Sequence, residues 1–221
     1  MTHETVRVYV FCEGETEETF VKEILYRHLQ ERFRIFVTPI NLGGVSKYEE
    51  VRKQINIQLK TDRAAWVTTM IDYYGLKDFL NKDNLSSSMS SYEKAKILQK
   101  AFQEDIGSSN FIANLMIHEF EALLFSDTEA FNKNFPADVV NKLKSICGKF
   151  ETPEHINDSK NSAPSKRIAS CCKGYDKIIH GNLIALDIGL ETLRKQCHNF
   201  DEWVSKIENL AQAQQESVLH N

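Results

Sequence analysis

Apolar runs alternate with helical apolar periodicity along the first half of the chain. The runs predict strands at roughly Val6–Cys12, Phe33–Leu42, Ala65–Asp72 and Asn110–Ile117. The periodic segments between them predict helices at about Thr16–Arg32, Ser46–Lys60 and Ser91–Ile106. Ser46 with Glu49 and Ser90 with Glu93 have the spacing of capping boxes. This alternation favours right-handed βαβ crossovers, and therefore an α/β fold with a mostly parallel sheet flanked by helices.

After about His118 the pattern changes to short helical segments that are separated by polar turns. These segments are Glu119–Phe125, Ala137–Ile146, Ser165–Cys172, Asn182–Leu193 and Phe200–Leu210. No strand pattern is recognisable there, so we expect a helical elaboration that packs against the sheet or covers its active edge. The predicted organisation is an α/β core, residues 1–125, and a helical C-terminal elaboration, residues 126–221, within a single compact unit.

The composition fits a globular protein without a membrane span. Of the 221 residues, 42% are hydrophobic and 26% are charged, which is enough apolar material for a core. No stretch approaches the roughly 18 apolar residues that a membrane helix needs, and no signal-like segment is present. The five cysteines include no C-x-x-C pair, which favours reduced thiols over disulfides or a zinc site. We therefore expect a cytoplasmic location.

Two acids stand where predicted strands end. Glu13 directly follows the first apolar run and precedes Gly14, and Asp72 ends the third run, with Gly75 close behind. Because ligands collect at the carboxyl ends of parallel strands, we expect both carboxylates at one edge of the sheet. Oxygen ligands of this kind suit Mg²⁺ or Mn²⁺. The alternative for Asp72 is a turn aspartate that bonds to its own backbone.

Three further acids are candidate metal ligands. Glu17 lies four residues after Glu13 and can face the same side, although an acid there also favours the positive end of a helix dipole. Glu119 and Glu121 follow the fourth predicted strand. Residues two apart on a helix point about 200° apart, so we expect only one of this pair to face the site. The neighbouring His118 is expected to have a structural or supporting role.

A group of cations follows Pro164. Lys166 and Arg167 occupy the predicted first turn of a helix, where cations oppose the helix dipole, so phosphate binding would explain their placement. Lys173, Lys177 and His180 could extend the same patch, and a solvated basic face is the alternative. The net charge of −4 argues against wrapping of nucleic acid by charge alone, but not against a local patch.

These residues together resemble the Toprim-like proteins, whose fold serves topoisomerases, primases and nucleases of the overcoming-lysogenization-defect group. The chain is more closely similar, over nearly its whole length, to a family of short, uncharacterised bacterial Toprim-like proteins. The segments that carry the resemblance are Cys12–Glu17, Gly43–Tyr48, Thr69–Gly75, His118–Phe125 and Ala163–Arg167. The resemblance implies a Toprim-like fold for residues 1–125. Genes of this family often lie beside ATPase genes, which implies an ATPase partner and a role in phage defence.

The resemblance also implies Mg²⁺- or Mn²⁺-dependent hydrolysis of phosphodiester bonds in DNA or RNA. Glu13 would hold the metal, and Asp72, Glu17 and one of Glu119 and Glu121 would complete a carboxylate cage. Lys166 would stabilise the charge that develops on the scissile phosphate.

One position departs from the Toprim pattern, because Tyr74 stands where the second acid of the Asp-x-Asp motif is expected. Glu17 together with Glu119 or Glu121 is expected to compensate. The main rival hypothesis is a non-catalytic subunit that binds an ATPase partner or nucleic acid. A phosphatase that uses Asp72 as nucleophile is a weaker rival, because it lacks the second aspartate. The sequence leaves open whether the protein forms a homo-oligomer.

Overall fold

The computed structural model describes residues 5–44, 47–72, 75–76, 78–80, 85–86, 88–156 and 162–219, with side chains as far as residue 213. Its sheet is all-parallel, with the strand order β2-β1-β3-β4. The strands are β1 (Val6–Cys12), β2 (Ile35–Asn41), β3 (Trp66–Met70) and β4 (Phe111–Ile112). An α/β fold with a parallel sheet flanked by helices is therefore confirmed.

Helices surround this sheet and make up the rest of the regular structure. The α-helices are α1 (Glu15–Phe20), α2 (Tyr26–Phe33), α3 (Tyr48–Thr61), α4 (Ser91–Ile106), α5 (Ala137–Cys147), α6 (Pro164–Cys171), α7 (Ile179–Ile188), α8 (Leu190–Gln196) and α9 (His198–Leu219). A π-helix, Val21–Leu25, joins α1 to α2, and 3₁₀ turns occupy Phe120–Ser126, Thr128–Lys133 and Pro153–His155.

The alternating side chains of β1 place apolar groups on both faces of the sheet. Val6, Val8 and Val10 belong to a buried cluster that includes α1, the π-helix and most of the C-terminal helices. Phe11 points the other way, into a cluster formed with α3 and α4. Because β1 and β3 are the central strands and lie next to each other, their carboxyl ends meet in the middle of one edge of the sheet.

The last strand, β4, is much shorter than the predicted strand Asn110–Ile117. Hydrogen bonds that involve side chains replace the backbone-to-backbone bonds of a parallel ladder there. The backbone N–H of Ala113 donates to Gln103 Oε1 at 2.9 Å, and the amide of Asn114 donates to the carbonyl of Thr69 at 2.9 Å. Parallel pairing returns only at an isolated bridge between Asp72 and Met116. The chain therefore stays beside β3 without forming a regular strand.

Several predicted helix boundaries change for identifiable reasons. The capping box of Ser90 and Glu93 is confirmed. The N-cap position of α3 is Lys47, and Ser46, for which the other capping box was predicted, lies outside the described residues. The predicted helix Asn182–Leu193 is divided into α7 and α8 by Gly189, whose φ of 78° a helix cannot accommodate.

The segment that begins at Glu119 forms a 3₁₀ turn rather than an α-helix. Every residue from Phe120 to Phe125 is buried, so this segment lacks the solvent-exposed polar face of an amphipathic α-helix.

The helical C-terminal part packs into the same core as the sheet. The buried cluster that holds Val8 of β1 continues through Phe125 and Ile184 to Val204, across the predicted boundary at residue 125. Within the part of the chain that the structure describes, every helix is too short or too polar to cross a membrane.

Candidate functional site

The ends of β1 and β3 bring Glu13 and Asp72 together. The backbone N–H of Glu13 donates to the carbonyl of Met70 at 3.1 Å, which extends the parallel ladder by one bond. Its carboxylate Oε2 then accepts a hydrogen bond from the backbone N–H of Asp72 at 2.9 Å. The two residues that follow the central strands therefore meet at the carboxyl edge of the sheet.

Two more acids are each held at this edge by a backbone amide. Glu17, which is buried on α1, accepts a bond from the N–H of Gly14 at 3.1 Å through Oε2. Glu119 accepts a bond from the N–H of Ser165, in the first turn of α6, at 2.9 Å through Oε2. As with Glu13, one carboxylate oxygen is fixed by the backbone, which leaves the other oxygen to face a further partner.

Glu121 is the most deeply buried acid of the group. Its side chain is 0% exposed, and neither carboxylate oxygen accepts a hydrogen bond from a described residue. Burial raises the pKa of Glu121 to about 7, and the charges of Glu119 and Glu17 act in the same direction, whereas Lys177 opposes them. Burial likewise raises the pKa of Glu13, and Glu17 and Glu119 add to that effect.

The four glutamates Glu13, Glu17, Glu119 and Glu121 therefore interact electrostatically, and we refer to them as the acidic cluster. Both Glu119 and Glu121 take part in it, although the sequence predicted that only one would. The prediction failed because it assumed an α-helix, whereas a 3₁₀ turn follows Glu119 and the N–H of Ser165 draws its side chain in.

Lys177 supplies the positive charge of this edge. Its Nζ lies 3.8 Å from Glu17 Oε1 and 3.6 Å from Glu121 Oε2, although 44% of the side chain is exposed. Desolvation lowers the pKa of Lys177, but the acidic cluster, with Glu121 foremost, outweighs that effect and raises it. Sequence reasoning placed Lys177 only in a basic patch, because no local signal reveals that the residues before α7 return to β1.

Lys166 lies beside the acidic cluster without joining it. It follows Ser165, whose N–H holds Glu119, but its own side chain is exposed. The structure gives that side chain no hydrogen bond or ion pair with another described residue. The neighbouring His118 is buried, and burial lowers the pKa of its imidazole to about 4, so the ring is neutral at physiological pH.

An open cleft of about 520 Å³ adjoins these residues. Glu13, Glu17 and Lys177 line one part of it, and Gly43 and Gly44 line another. The N–H of Gly44 donates to the carbonyl of Glu13 at 2.9 Å, and φ is positive at both glycines. A Cβ added to either glycine would meet no atom of the described residues within 4 Å, so this wall of the cleft is backbone.

The donor chemistry of the site fits a hard divalent cation, but the geometry is not that of a ready-made chelate. Within the described ranges, no three His, Cys, Asp or Glu side chains are arranged to hold a metal ion. The available oxygens are carboxylates, as Mg²⁺ and Mn²⁺ require, and the oxygens of buried Glu121 lack a hydrogen-bond donor among those same residues. Tyr74, which replaces the second motif acid, lies outside the described residues.

Comparison with known protein families places the chain in one of them. Residues 12–208 match the family model described as Domain of unknown function (DUF4276), which covers most of the chain, so the protein belongs to that family. No curated protein and no solved structure matches it.

Proposed function

We propose that this member of the DUF4276 family is a Toprim-like nuclease that hydrolyses phosphodiester bonds of DNA or RNA with Mg²⁺ or Mn²⁺. The observation that carries the proposal is the meeting of Glu13 and Asp72 at the carboxyl edge of a parallel sheet, beside an open cleft. An acid at the end of a strand gains little by packing, so two such acids at one sheet edge, with the carboxylate of Glu13 beside the backbone of Asp72, favour a ligand role.

The acidic cluster and Asp72 would hold the cation. When bound, a divalent cation makes water more acidic and neutralises charge on a phosphate. The chain itself contributes fixed carboxylates, because Glu13, Glu17 and Glu119 are each oriented by a backbone N–H. Because these carboxylates are already oriented, binding of a cation does not have to order free side chains and loses less conformational entropy.

The cleft is suited to an extended phosphate backbone. Its bare glycine wall allows a strand of nucleic acid to approach closely, and Lys177, which also lines the cleft, provides a cation. The exposed Lys166 lies near the same edge and is the proposed partner of the scissile phosphate.

The second candidate is a non-catalytic subunit that binds an ATPase partner or nucleic acid. It is favoured by one observation, which is that Lys177 already neutralises carboxylates that a nuclease would use for metal. The ATPase partner and the role in phage defence belong to both candidates and rest on the resemblance to Toprim-like proteins. Copurification of the protein with the product of a neighbouring ATPase gene would test that association.

The nuclease is tested by incubating supercoiled plasmid and total RNA with the protein and Mn²⁺ or Mg²⁺, with and without the ATPase. We expect cleavage that chelator abolishes and that Glu13→Gln and Asp72→Asn each reduce by at least roughly 100-fold. Glu104→Gln, at an exposed acid of α4, is the matched control and should retain full activity. Wild-type rates in either site variant would contradict the assignment.

Lys166 is tested in the same assay. Lys166→Ala should slow single-turnover cleavage by roughly 100-fold, as loss of one charge-stabilising donor does in other enzymes. Lys100→Ala, at an exposed lysine of α4, should change the rate by less than about twofold, within the usual neutrality of surface substitutions. If both variants behave alike, Lys166 belongs to a solvated face.

A further inference from the structure

Lys177 occupies the position in which a cation would sit among the acids of the site. Its Nζ is close to both Glu17 and Glu121 but lies 3.8 and 3.6 Å from their oxygens, beyond the length of a direct hydrogen bond. The ammonium group therefore contributes charge more than directed bonding. A contact of this kind is easily exchanged for another.

The burial of Glu121 indicates that its contact with Lys177 belongs to a site formed by the fold. The side chain is 0% exposed, Lys177 is its one cationic partner among the described residues, and neither oxygen accepts a hydrogen bond from another described residue. A buried carboxylate without hydrogen bonds is costly to the fold unless a cation compensates it. Glu121 is therefore suited to a function that needs its oxygens unoccupied.

The backbone before α7 fixes the base of Lys177. Asp176 Oδ1 accepts a bond from the N–H of Ile179 at 2.8 Å, and the amide of Asn182 donates to the carbonyl of Thr16 at 3.3 Å. A Cβ on Gly181 would lie 3.0 Å from the hydroxyl of Tyr175, so α7 packs closer here than another residue would allow. The start of α7 is thus anchored, while the exposed end of Lys177 can change partners.

We propose that Lys177 is a built-in counter-ion that a divalent cation displaces from the acidic cluster, and that the displaced ammonium group then binds a substrate phosphate in the adjoining cleft. The inference rests on the proposed function. The exchange breaks no bond between heavy atoms, because one cation replaces another on Glu17 and Glu121, and a proton carried by Glu121 passes to water. Lys177 lines the cleft together with Asp176 and Ile178, so the released group remains beside the bound backbone.

Metal affinity is the direct test, and it requires no known substrate. Calorimetric titration of metal-free protein with Mn²⁺ should show roughly 10-fold or tighter binding to Lys177→Met, because a unit charge about 4 Å from the carboxylates no longer competes. Lys177→Arg keeps the charge and should bind Mn²⁺ as wild type does. Lys100→Met, at an exposed lysine of α4, is the matched control and should also bind as wild type does.

Thermal stability supplies a second readout. In chelator, Lys177→Met should melt below wild type, because the acidic cluster loses its counter-ion, whereas in saturating Mn²⁺ this difference should close. A phosphorothioate oligonucleotide should bind the Mn²⁺-loaded Lys177→Met variant roughly 10-fold more weakly than it binds the Mn²⁺-loaded Lys100→Met variant.

The outcomes separate this inference from the proposed function. Equal Mn²⁺ affinity in wild type and Lys177→Met, or the absence of Mn²⁺ binding to both at millimolar concentration, would overturn the counter-ion role. Tighter Mn²⁺ binding to Lys177→Met would support it even if no nucleic acid were cut. A wild type that binds Mn²⁺ but cleaves neither plasmid nor RNA would count against the nuclease alone.

Discussion

At the scale of single residues, the backbone rather than other side chains orients the acids of the site. Glu13, Glu17 and Glu119 each give one oxygen to a main-chain N–H, and those amides belong to Asp72, Gly14 and Ser165. Main-chain donors are fixed by the fold, so the direction of each carboxylate follows from the position of its element. Substitution of a neighbouring side chain should therefore disturb these acids little.

Two buried groups near the site make stability depend on pH with opposite signs. The pKa of His118 falls from 6.5 to about 4, so the unfolded chain alone gains a proton between these values and stability falls as pH is lowered from 6.5. The pKa of Glu121 rises from 4.5 to about 7, so the folded chain alone keeps a proton there and stability falls as pH is raised from 4.5.

We expect Glu121→Gln and His118→Asn to change the slope of stability against pH in opposite directions. Without Glu121, the free energy of unfolding should rise with pH more steeply than in wild type between pH 4.5 and 6.5, by up to about 1.4 kcal/mol per unit. Without His118, the free energy of unfolding should fall more steeply than in wild type as pH is raised over the same range. Urea unfolding in chelator across this range measures both slopes, and profiles parallel to wild type would refute the pKa shifts.

The sequence was sufficient to find Glu13 and Asp72, because each directly follows an apolar run and parallel strands end at a common edge. It could not find the role of Lys177, whose partners Glu17 and Glu121 lie far away along the chain. Charge interactions between distant segments leave no periodic signal, so only the assembled fold reveals them.

At the scale of elements, a buried hydrogen bond fastens the C-terminal helix α9 to the central sheet. The indole N–H of Trp203 donates to Thr68 Oγ1 at 2.9 Å, and the same hydroxyl donates to the carbonyl of Ile112 at 2.7 Å. Both side chains are buried, so neither can exchange its partner for water. This bond could not be predicted, because a threonine in a strand is equally common with its hydroxyl facing solvent.

We expect Thr68→Val to lower the free energy of unfolding by about 1 to 3 kcal/mol, because the indole N–H is left buried without an acceptor. Valine keeps the shape and strand preference of threonine, so the loss reports the hydroxyl. Thr61→Val, at an exposed threonine of α3, is the control and should change stability by less than about 0.5 kcal/mol. Equal urea midpoints for the two variants would contradict the structural role of the bond.

At the scale of the whole molecule, the sheet and the helical elaboration share one buried core. The sheet face formed by Val8 and Val10 is contacted by α1 and by α9, whose Val204 belongs to the same buried cluster. The alternating pattern of the first half predicted the sheet, but it could not show which segment covers this face. Several helices have apolar faces of similar area, so the sequence alone does not show which helix packs on the sheet.

A fragment of residues 1–125 should therefore fail to fold by itself, because the part of its apolar sheet face that α9 covers in the full chain would be exposed to water. We expect weak chemical-shift dispersion and no cooperative unfolding for this fragment, whereas coexpression with residues 126–221 should restore both. Cooperative unfolding of the isolated fragment at the urea midpoint of the full chain would show that the two parts are independent.

The wide separation of the site residues along the chain also matters while the protein is being made. Glu13 emerges from the ribosome early, and Lys177 emerges only after most of the chain has been synthesised. Until then the acids lack their counter-ion, and the apolar face of β1 lacks its cover. A nascent chain therefore cannot assemble the cleft piece by piece. Under the proposed function, we expect nuclease activity only from chains whose synthesis has passed α9, which packs on β1.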